Sequence, residues 1–284
     1  MASLKDLRRR IRSTRSTQQI TKAMEMVAAA KLRRAQARAL AARPYAAKLT
    51  EMLGKLAGAA SDLEHPMFKS REVKTTALVL ITADRGLSGA YNTNLIRAAE
   101  QRLRRESGTH LVLIGKKGRD YFRRRKYPIL ATHVDLPAEA SVDFARRLTE
   151  DLIGRFTRAE VDRVEVIGTR YLSALNRRIV TEVFLPVGGG AAAGEAPPDR
   201  GTIFEPDPET IFAELLPRYA VAKMFAALAD ALASEHSSRM VAMGAARKNA
   251  GELVDSLTLL RNRLRQAAIT KEIAEIVGGA EALK

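Results

Sequence analysis

Between Glu209 and Leu283 apolar and small residues return every three or four positions. Tyr219, Ala222, Phe225, Ala226, Ala229, Leu232 and Ala233 lead into Met240, Met243 and Gly244. Leu253, Leu257, Leu260 and Leu264 follow, then Ile269, Ile273 and Ile276. This spacing predicts one helix. It is longer than the roughly 8–20 residues of an ordinary globular helix, which points to a coiled coil or a rod. At about 1.5 Å per residue, such a rod spans on the order of 100 Å.

A second long helix is predicted from Ser3 to about Leu56. Ser3 is placed to cap it, with Asp6 three residues on. Leu4, Leu7 and Ile11, then Ile20, Met24, Val27 and Lys31, form the expected inward stripe, continuing to Leu32. Alanines at 28–30, 35, 37, 39, 41 and 42 favour helix and close approach of a partner. Pro44 interrupts the pattern, Gly54 and Gly58 weaken its end, and residues 61–66 read as a loop.

The middle of the chain has a different rhythm. Thr75–Thr82, His110–Gly115, Pro128–Val134, Asp162–Thr169 and Arg178–Leu185 read as strands. Ala90–Ser107, Arg119–Arg125 and Ser141–Thr157 read as helices. The link Arg170–Arg177 is too short for a crossover helix, so the last two strands form an antiparallel hairpin. The alternation predicts a mostly parallel, Rossmann-like α/β domain. The expected division is a helix over 1–60, the α/β domain over 72–186, a Gly-, Ala- and Pro-rich linker over 187–208, and a helix over 209–284. The two end helices leave the domain and return to it. They are therefore expected to pair as an antiparallel coiled coil, burying stripes that neither could expose alone.

Composition narrows the chemistry. The chain has no cysteine, which excludes disulfides, thiolate metal sites and thiol nucleophiles. His65, His110, His133 and His236 have no zinc-binding spacing. The net charge is +16, and twelve basic residues face two acidic ones between Met1 and Arg43. That surplus predicts an acidic partner: nucleic acid, an anionic membrane surface or an acidic protein. No apolar run approaches the roughly 18–20 residues of a membrane span. The Arg-rich start has the composition of a presequence, but its apolar positions run unbroken into the helix, so it is read as permanent.

Two turns sit where nucleotide sites occur. Asp84-Arg-Gly-Leu-Ser-Gly-Ala-Tyr-Asn92 follows a strand and opens a helix, but lacks Gly-x-Gly-x-x-Gly. Gly115-Lys-Lys-Gly118 lacks the Walker A pattern. Both read as tight turns. Asp84, Asp120, Asp135 and Asp143 are not spaced as an acid/base pair. Arg8, Arg9, Arg10, Arg12, Arg15, Arg33, Arg34 and Arg38 could follow phosphates, making a basic coiled-coil nucleic-acid-binding protein the alternative function. No aromatic lies between residues 1 and 44 to stack bases.

Four segments carry a resemblance that covers essentially the whole chain in order. They are Ile20-Thr-Lys-Ala-Met-Glu-Met-Val-Ala-Ala-Ala-Lys-Leu32, the turn 84–92, Ser234-Glu-His-Ser-Ser-Arg-Met-Val-Ala-Met243, and Arg265-Gln-Ala-Ala-Ile-Thr-Lys-Glu-Ile-Ala-Glu-Ile-Val-Gly-Gly-Ala280. They resemble the gamma subunits of bacterial F-type ATP synthases. The resemblance implies a non-catalytic central-stalk rotor subunit. Its coiled coil turns inside a ring of catalytic (beta) and non-catalytic (alpha) subunits, and its base meets an epsilon subunit and a membrane c ring. It implies no cofactor, no metal, no catalytic residue and no nucleic-acid partner, with a place on the cytoplasmic face of the cell membrane. Carried over by position, Arg265 and Gln266 are expected to contact a loop of a catalytic subunit. Met24 is expected near them with Lys22 beside it, and Phe204 and Glu205 near the c ring. Met240 and Met243 are expected in the helix seam. Ser88 stands where many members of the family have cysteine.

Overall fold

The computed structural model describes residues 3–59, 65–68, 71–187 and 207–281. Ten elements follow in order: α1 (Leu4–Ala59), β1 (Thr76–Ile81), α2 (Tyr91–Arg105), β2 (Thr109–Ile114), α3 (Lys116–Phe122), β3 (Ile129–His133), α4 (Val142–Thr157), β4 (Arg163–Tyr171), β5 (Arg177–Leu185) and α5 (Pro208–Glu281). The chain divides into two compact units. One holds the residues up to Ala28 together with those from Met240 onward, and the other runs from Ala29 to Arg239.

In the second unit the strands form one sheet in the order β3-β2-β1-β4-β5. The first four are parallel and β5 runs antiparallel to β4, as the short link requires. β1 is buried on both faces because its neighbours are covered by helices. Its side chains alternate between two cores. Ala77, Val79 and Ile81 join Leu53 and Leu56 of α1, Leu148, Leu152 and Phe156 of α4, and Phe212, Leu216, Ala220 and Met224 of α5. Leu78 and Leu80 join Leu95, Ile96 and Ala99 of α2 and Phe122 of α3.

Local signals set several ends. The amide of Asp6 donates to Ser3 Oγ at 3.1 Å, so Ser3 caps α1. Ser141 Oγ accepts from the amide of Phe144 and starts α4. α3 begins three residues before the expected Arg119. The reason is distant in sequence: the amide of Lys116 donates to Asp84 Oδ1 at 2.9 Å, so β1's loop supplies the cap. α1 runs through Pro44 as one helix. Leu49, Leu53 and Leu56, all buried, hold its later turns in place, and tertiary packing outweighs the lost backbone bond.

Within this unit α5 has no exposed face between Leu228 and Ser238. Ala229, Ala231, Ala233, Ser234, His236, Ser237 and Ser238 are all buried, the pattern of a helix surrounded by protein. His236 is 6% exposed. Burial, with Arg239 and Lys31 nearby, lowers its pKa to about 4. Its Nδ1 lies 3.4 Å from an Arg239 nitrogen, which can only donate, so the ring is held neutral. Glu235, 2.5 Å from Arg239, is shifted the other way: burial raises its carboxyl, offset by Arg239.

The signs follow. A buried neutral histidine contributes stability above its unfolded value of about 6.5, and loses it as pH falls toward its folded value. The loss is on the order of 3 kcal/mol by linkage. Glu235 contributes most at low pH and less as pH rises. His236→Gln is expected to flatten the fall in stability between about pH 6.5 and 4, by urea unfolding at each pH, relative to the natural chain. An equal pH slope in both proteins would contradict the assignment.

Candidate functional site

In the first unit the two long helices pair. Glu25 on α1 accepts from Arg247 on α5 at 2.8 Å, and Gln18 on α1 lies against Gly251 on α5. Descending numbers on one helix meet ascending numbers on the other, so the pair is antiparallel. Two glycines make the approach possible. A Cβ at Gly244 would stand 3.1 Å from Glu25 Oε1, and one at Gly251 would stand 2.9 Å from Gln18 Nε2.

The seam differs from the expected stripe. Leu7, Ile11, Thr21 and Ala28 are buried, Thr14, Gln18 and Glu25 lie half-buried between them, and the steps alternate strictly between four and three residues. That is a heptad seam. The facing residues include Met243, Ala250 and Val254, all buried. Ile20 (57% exposed) and Val27 (56%) point away, as do Leu253 and Leu260 on α5. The expected stripe followed the larger side chains. The inward positions are Leu7 and Ile11 at the start and then Thr14, Gln18, Thr21, Glu25 and Ala28, the last four opposite the stretch where Gly244 and Gly251 let the backbones come close. Met243 is in the seam as expected, and Met240 is half-buried.

The expected contact residues take separate places on this rod. Lys22 is exposed and Met24 half-buried; Arg265 and Gln266 are both exposed. They are not brought together. Arg247, which meets the neighbour of Met24, precedes Arg265 by eighteen residues, about 27 Å along a helix. Phe204 and Glu205 lie outside the described residues. α5 ends with Ile269, Ile273, Ile276 and Val277 all exposed.

The second unit contains the crevice in which open α/β sheets bind ligands, outside the carboxyl ends of β1 and β4 where the strand order reverses. Here it is filled by α5. The Tyr91 hydroxyl donates to the carbonyl of Ala231 at 3.2 Å, and Arg239 donates to the carbonyl of Gly86 at 3.3 Å. What remains is a gap of about 20 Å³ lined by Thr82, Tyr91, Leu136, Leu232 and Glu235, room for about one water. Burial, reinforced by Glu235, raises the Tyr91 hydroxyl well above the usual tyrosine range, so it remains a donor.

The two turns weighed as phosphate sites are closed by the protein itself. Asp84 Oδ1 takes the amide of Lys116 and Oδ2 the amide of Leu136 at 2.7 Å. A carboxylate therefore occupies the α3 N-terminus that a phosphate would need. Gly115 has φ 92°, and a Cβ there would stand 2.2 Å from the carbonyl of Thr82. Asn92 Oδ1 accepts from the amide of Ala83 and its Nδ2 donates to Ser88 Oγ. These residues build a turn.

The basic surface is also partly explained from within. Arg34 and Arg38 both pair with Glu139, Arg38 donates to the carbonyl of Ala140 at 3.1 Å, and Arg43 donates to the carbonyl of Tyr171 at 3.0 Å. Arg9 pairs with Asp6. Arg8, Arg10, Arg12 and Arg15 stay exposed. Arg38 and Arg43 thus fasten α1 to its domain, while Arg33 and Arg34 stay exposed. The attachments of α5 at Tyr91, Ser237 and Arg239 escaped the sequence reading. Their one signal was a run of polar residues, Ser234 to Arg239, inside an otherwise apolar stretch.

A family model described as ATP synthase matches residues 3–283. The ATP synthase gamma chain of Moorella thermoacetica is 50% identical over 285 residues, and the match covers 100% of each chain. That of Desulforamulus reducens is 48% identical over 284 residues, again with 100% of each covered. Among solved structures, the central stalk and c ring of the Tetrahymena thermophila mitochondrial ATP synthase includes a similar chain. Its TM-score is 0.64 at 25% identity, covering 80% of this chain and 99% of that one. A chain of the Euglena gracilis mitochondrial enzyme shares the fold with a TM-score of 0.73 at 20% identity, covering 99% and 94%. These matches remove the nucleic-acid reading of the charge, and the chain belongs to the ATP synthase gamma chain family.

Proposed function

We propose that this chain is the central-stalk rotor subunit of a bacterial F-type ATP synthase. It couples ion-driven rotation of a c ring to the conformational cycling of the catalytic sites and is itself non-catalytic. The observation that carries this reading is α5. Its first half is largely buried in an α/β domain and its second half pairs antiparallel with α1. Beyond Pro217 no proline interrupts α5, so its backbone hydrogen-bond ladder is continuous along the paired stretch and gives a stiff rod able to carry torque. Residues 1–60 and 209–284 serve as the shaft, 72–186 as the base and 187–208 as the linker between them.

The partners are the alpha and beta subunits around the paired helices, with the epsilon subunit and c ring at the base. Exposed arginines suit an acidic sleeve, since surface charge attraction is broad and weakly directional and need not lock one angle. Among the described residues no helix is long and apolar enough to cross a membrane. The rotor reading itself places the chain as a peripheral protein at the cytoplasmic face of the cell membrane. Arg265 and Gln266 meet a loop of a catalytic subunit. Lys22 and Met24 meet the ring at a second, separate level, and Phe204 and Glu205 approach the c ring.

The direct test is co-expression with the alpha and beta subunits. A purified complex with ATPase activity is expected, and free subunits without activity would sink the reading. Arg265→Ala with Gln266→Ala is expected to lower ATP synthesis about fivefold, equivalent to ~1 kcal/mol, while circular dichroism of the chain is unchanged. Full synthesis in the assembled enzyme would remove the pair from the contact. Met24→Lys is expected to lower ATP-driven ion pumping more than ATP hydrolysis, because it adds a charge to a half-buried rod position without touching a catalytic site. Equal loss of both activities would point to misassembly instead.

A further inference from the structure

Among the described residues, and beside the Arg43–Asp230 ion pair from α1, four hydrogen-bonding side chains fasten α5 inside the second unit, each in a different part of the domain. The Tyr91 hydroxyl at the start of α2 donates to the carbonyl of Ala231. Ser237 Oγ donates to the carbonyl of Ala174 in the β4–β5 loop. Arg239 donates to the carbonyl of Gly86 in the β1 loop at 3.4 and 3.3 Å. Lys223 Nζ donates to the carbonyl of Val183 on β5 at 2.9 Å. Three of the four acceptors are backbone carbonyls of the sheet and its loops, and the fourth is on the helix itself.

Their placement around the helix matters more than their number. Successive residues advance by about 100° around a helix axis. Taking Ala231 as origin, Arg239 lies about 80° round, and Ser237 and Lys223 about 240° and 280° round. The contacts therefore approach from opposing sides. The interdigitated core side chains of α5 already oppose its rotation, but apolar contact is less directional than a hydrogen bond and leaves a wider range of angles. Hydrogen bonds at several azimuths oppose that rotation, because turning the helix breaks all of them at once.

The chemistry of the contacts fits the same task. Arg239 and Glu235 have side chains only 12% and 13% exposed. A buried ion pair adds little net stability over apolar residues, and its best-attested use is to fix one arrangement among several. Lys223 is half-buried, which lowers its pKa, and its amine donates to the carbonyl of Val183. Ser234, Ser237 and Ser238 are buried where alanine would pack as well. The grip also ends where the unit ends, at Arg239, the residue after which α5 passes into the paired-helix unit.

We infer that Tyr91, Lys223, Ser237 and Arg239 form a torsional clamp, a set of positioning residues that fixes the angle of the shaft helix against the α/β domain so that rotation of one becomes rotation of the other. The inference rests on the rotor reading. Without the clamp the base could turn by some angle before the rod followed, and torque from the base would reach the ring late and diffusely.

The test uses the complex assembled with alpha and beta subunits and immobilised through the ring, with a bead on the thiol of Arg123→Cys. That site is exposed on the α/β domain, and the chain has no other cysteine. Tyr91→Phe with Ser237→Ala deletes two hydroxyls and nothing else. At a fixed catalytic dwell, the variance of the bead's angle is expected to rise about twofold, as when two of four directional restraints are lost. ATP hydrolysis should be unchanged, since no ring contact is altered. A purely structural role would lower the unfolding temperature and leave the variance alone. Unchanged variance, with the variant assembled and active, overturns the clamp. Arg239→Lys supplies a second reading: it keeps a cation beside Glu235 but loses the planar fork, and it too should widen the distribution. Failure of the natural chain to assemble would instead count against the rotor reading on which the clamp depends.

Discussion

The structure depends on one constraint: a single helix must be interior to a domain along half its length and a surface rod along the rest. α5 meets both demands through the placement of its polar residues. Between Leu228 and Ser238 it carries alanine and serine on nearly every side, so the sheet, its loops and α1 can close around it. From Met243 onward the inward positions reduce to one seam, and the remaining faces are open. A uniformly apolar helix would bury well and then aggregate along its exposed half. A uniformly amphipathic one would leave polar side chains unpaired inside the domain.

The domain has been adapted to the same end. An open α/β sheet leaves a crevice at its switch point, and ligand-binding folds place a cofactor there. Here the helix is the occupant. Asp84, at the position that precedes a phosphate-binding turn in other proteins, uses both oxygens to hold the α3 amide of Lys116 and the loop amide of Leu136. The fold retains the architecture of a ligand-binding domain, while the residues at its mouth have become a bearing seat.

The five strands and their hairpin were legible because buried parallel strands are written as continuous runs such as Thr76–Ile81, and because Arg170–Arg177 is too short to cross over. The cap at Ser3 was legible because its partner is three residues away. The start of α3 was not, since its cap is Asp84, thirty-two residues back. The helix seam was legible only at its start, where Leu7 and Ile11 follow hydrophobicity. Beyond them the heptad register turns Thr14, Gln18, Thr21 and Glu25 toward the partner helix and leaves Ile20 and Val27 exposed. The proposed contact residues Lys22, Met24, Arg265 and Gln266 rest on resemblance alone, and they lie at two levels of the rod because the antiparallel pairing sets Glu25 opposite Arg247, eighteen residues before Arg265. The clamp was illegible because its acceptors are backbone carbonyls, which no side-chain pattern reveals.

The central claim is that the chain turns as one body inside a ring of catalytic subunits. The most direct measurement is single-molecule rotation of the immobilised ring complex, with a probe on the thiol of Arg123→Cys in the α/β domain. The account predicts stepwise, unidirectional rotation that begins with ATP and stops without it. ATP hydrolysis at full rate with a probe that only fluctuates about a fixed angle would contradict it.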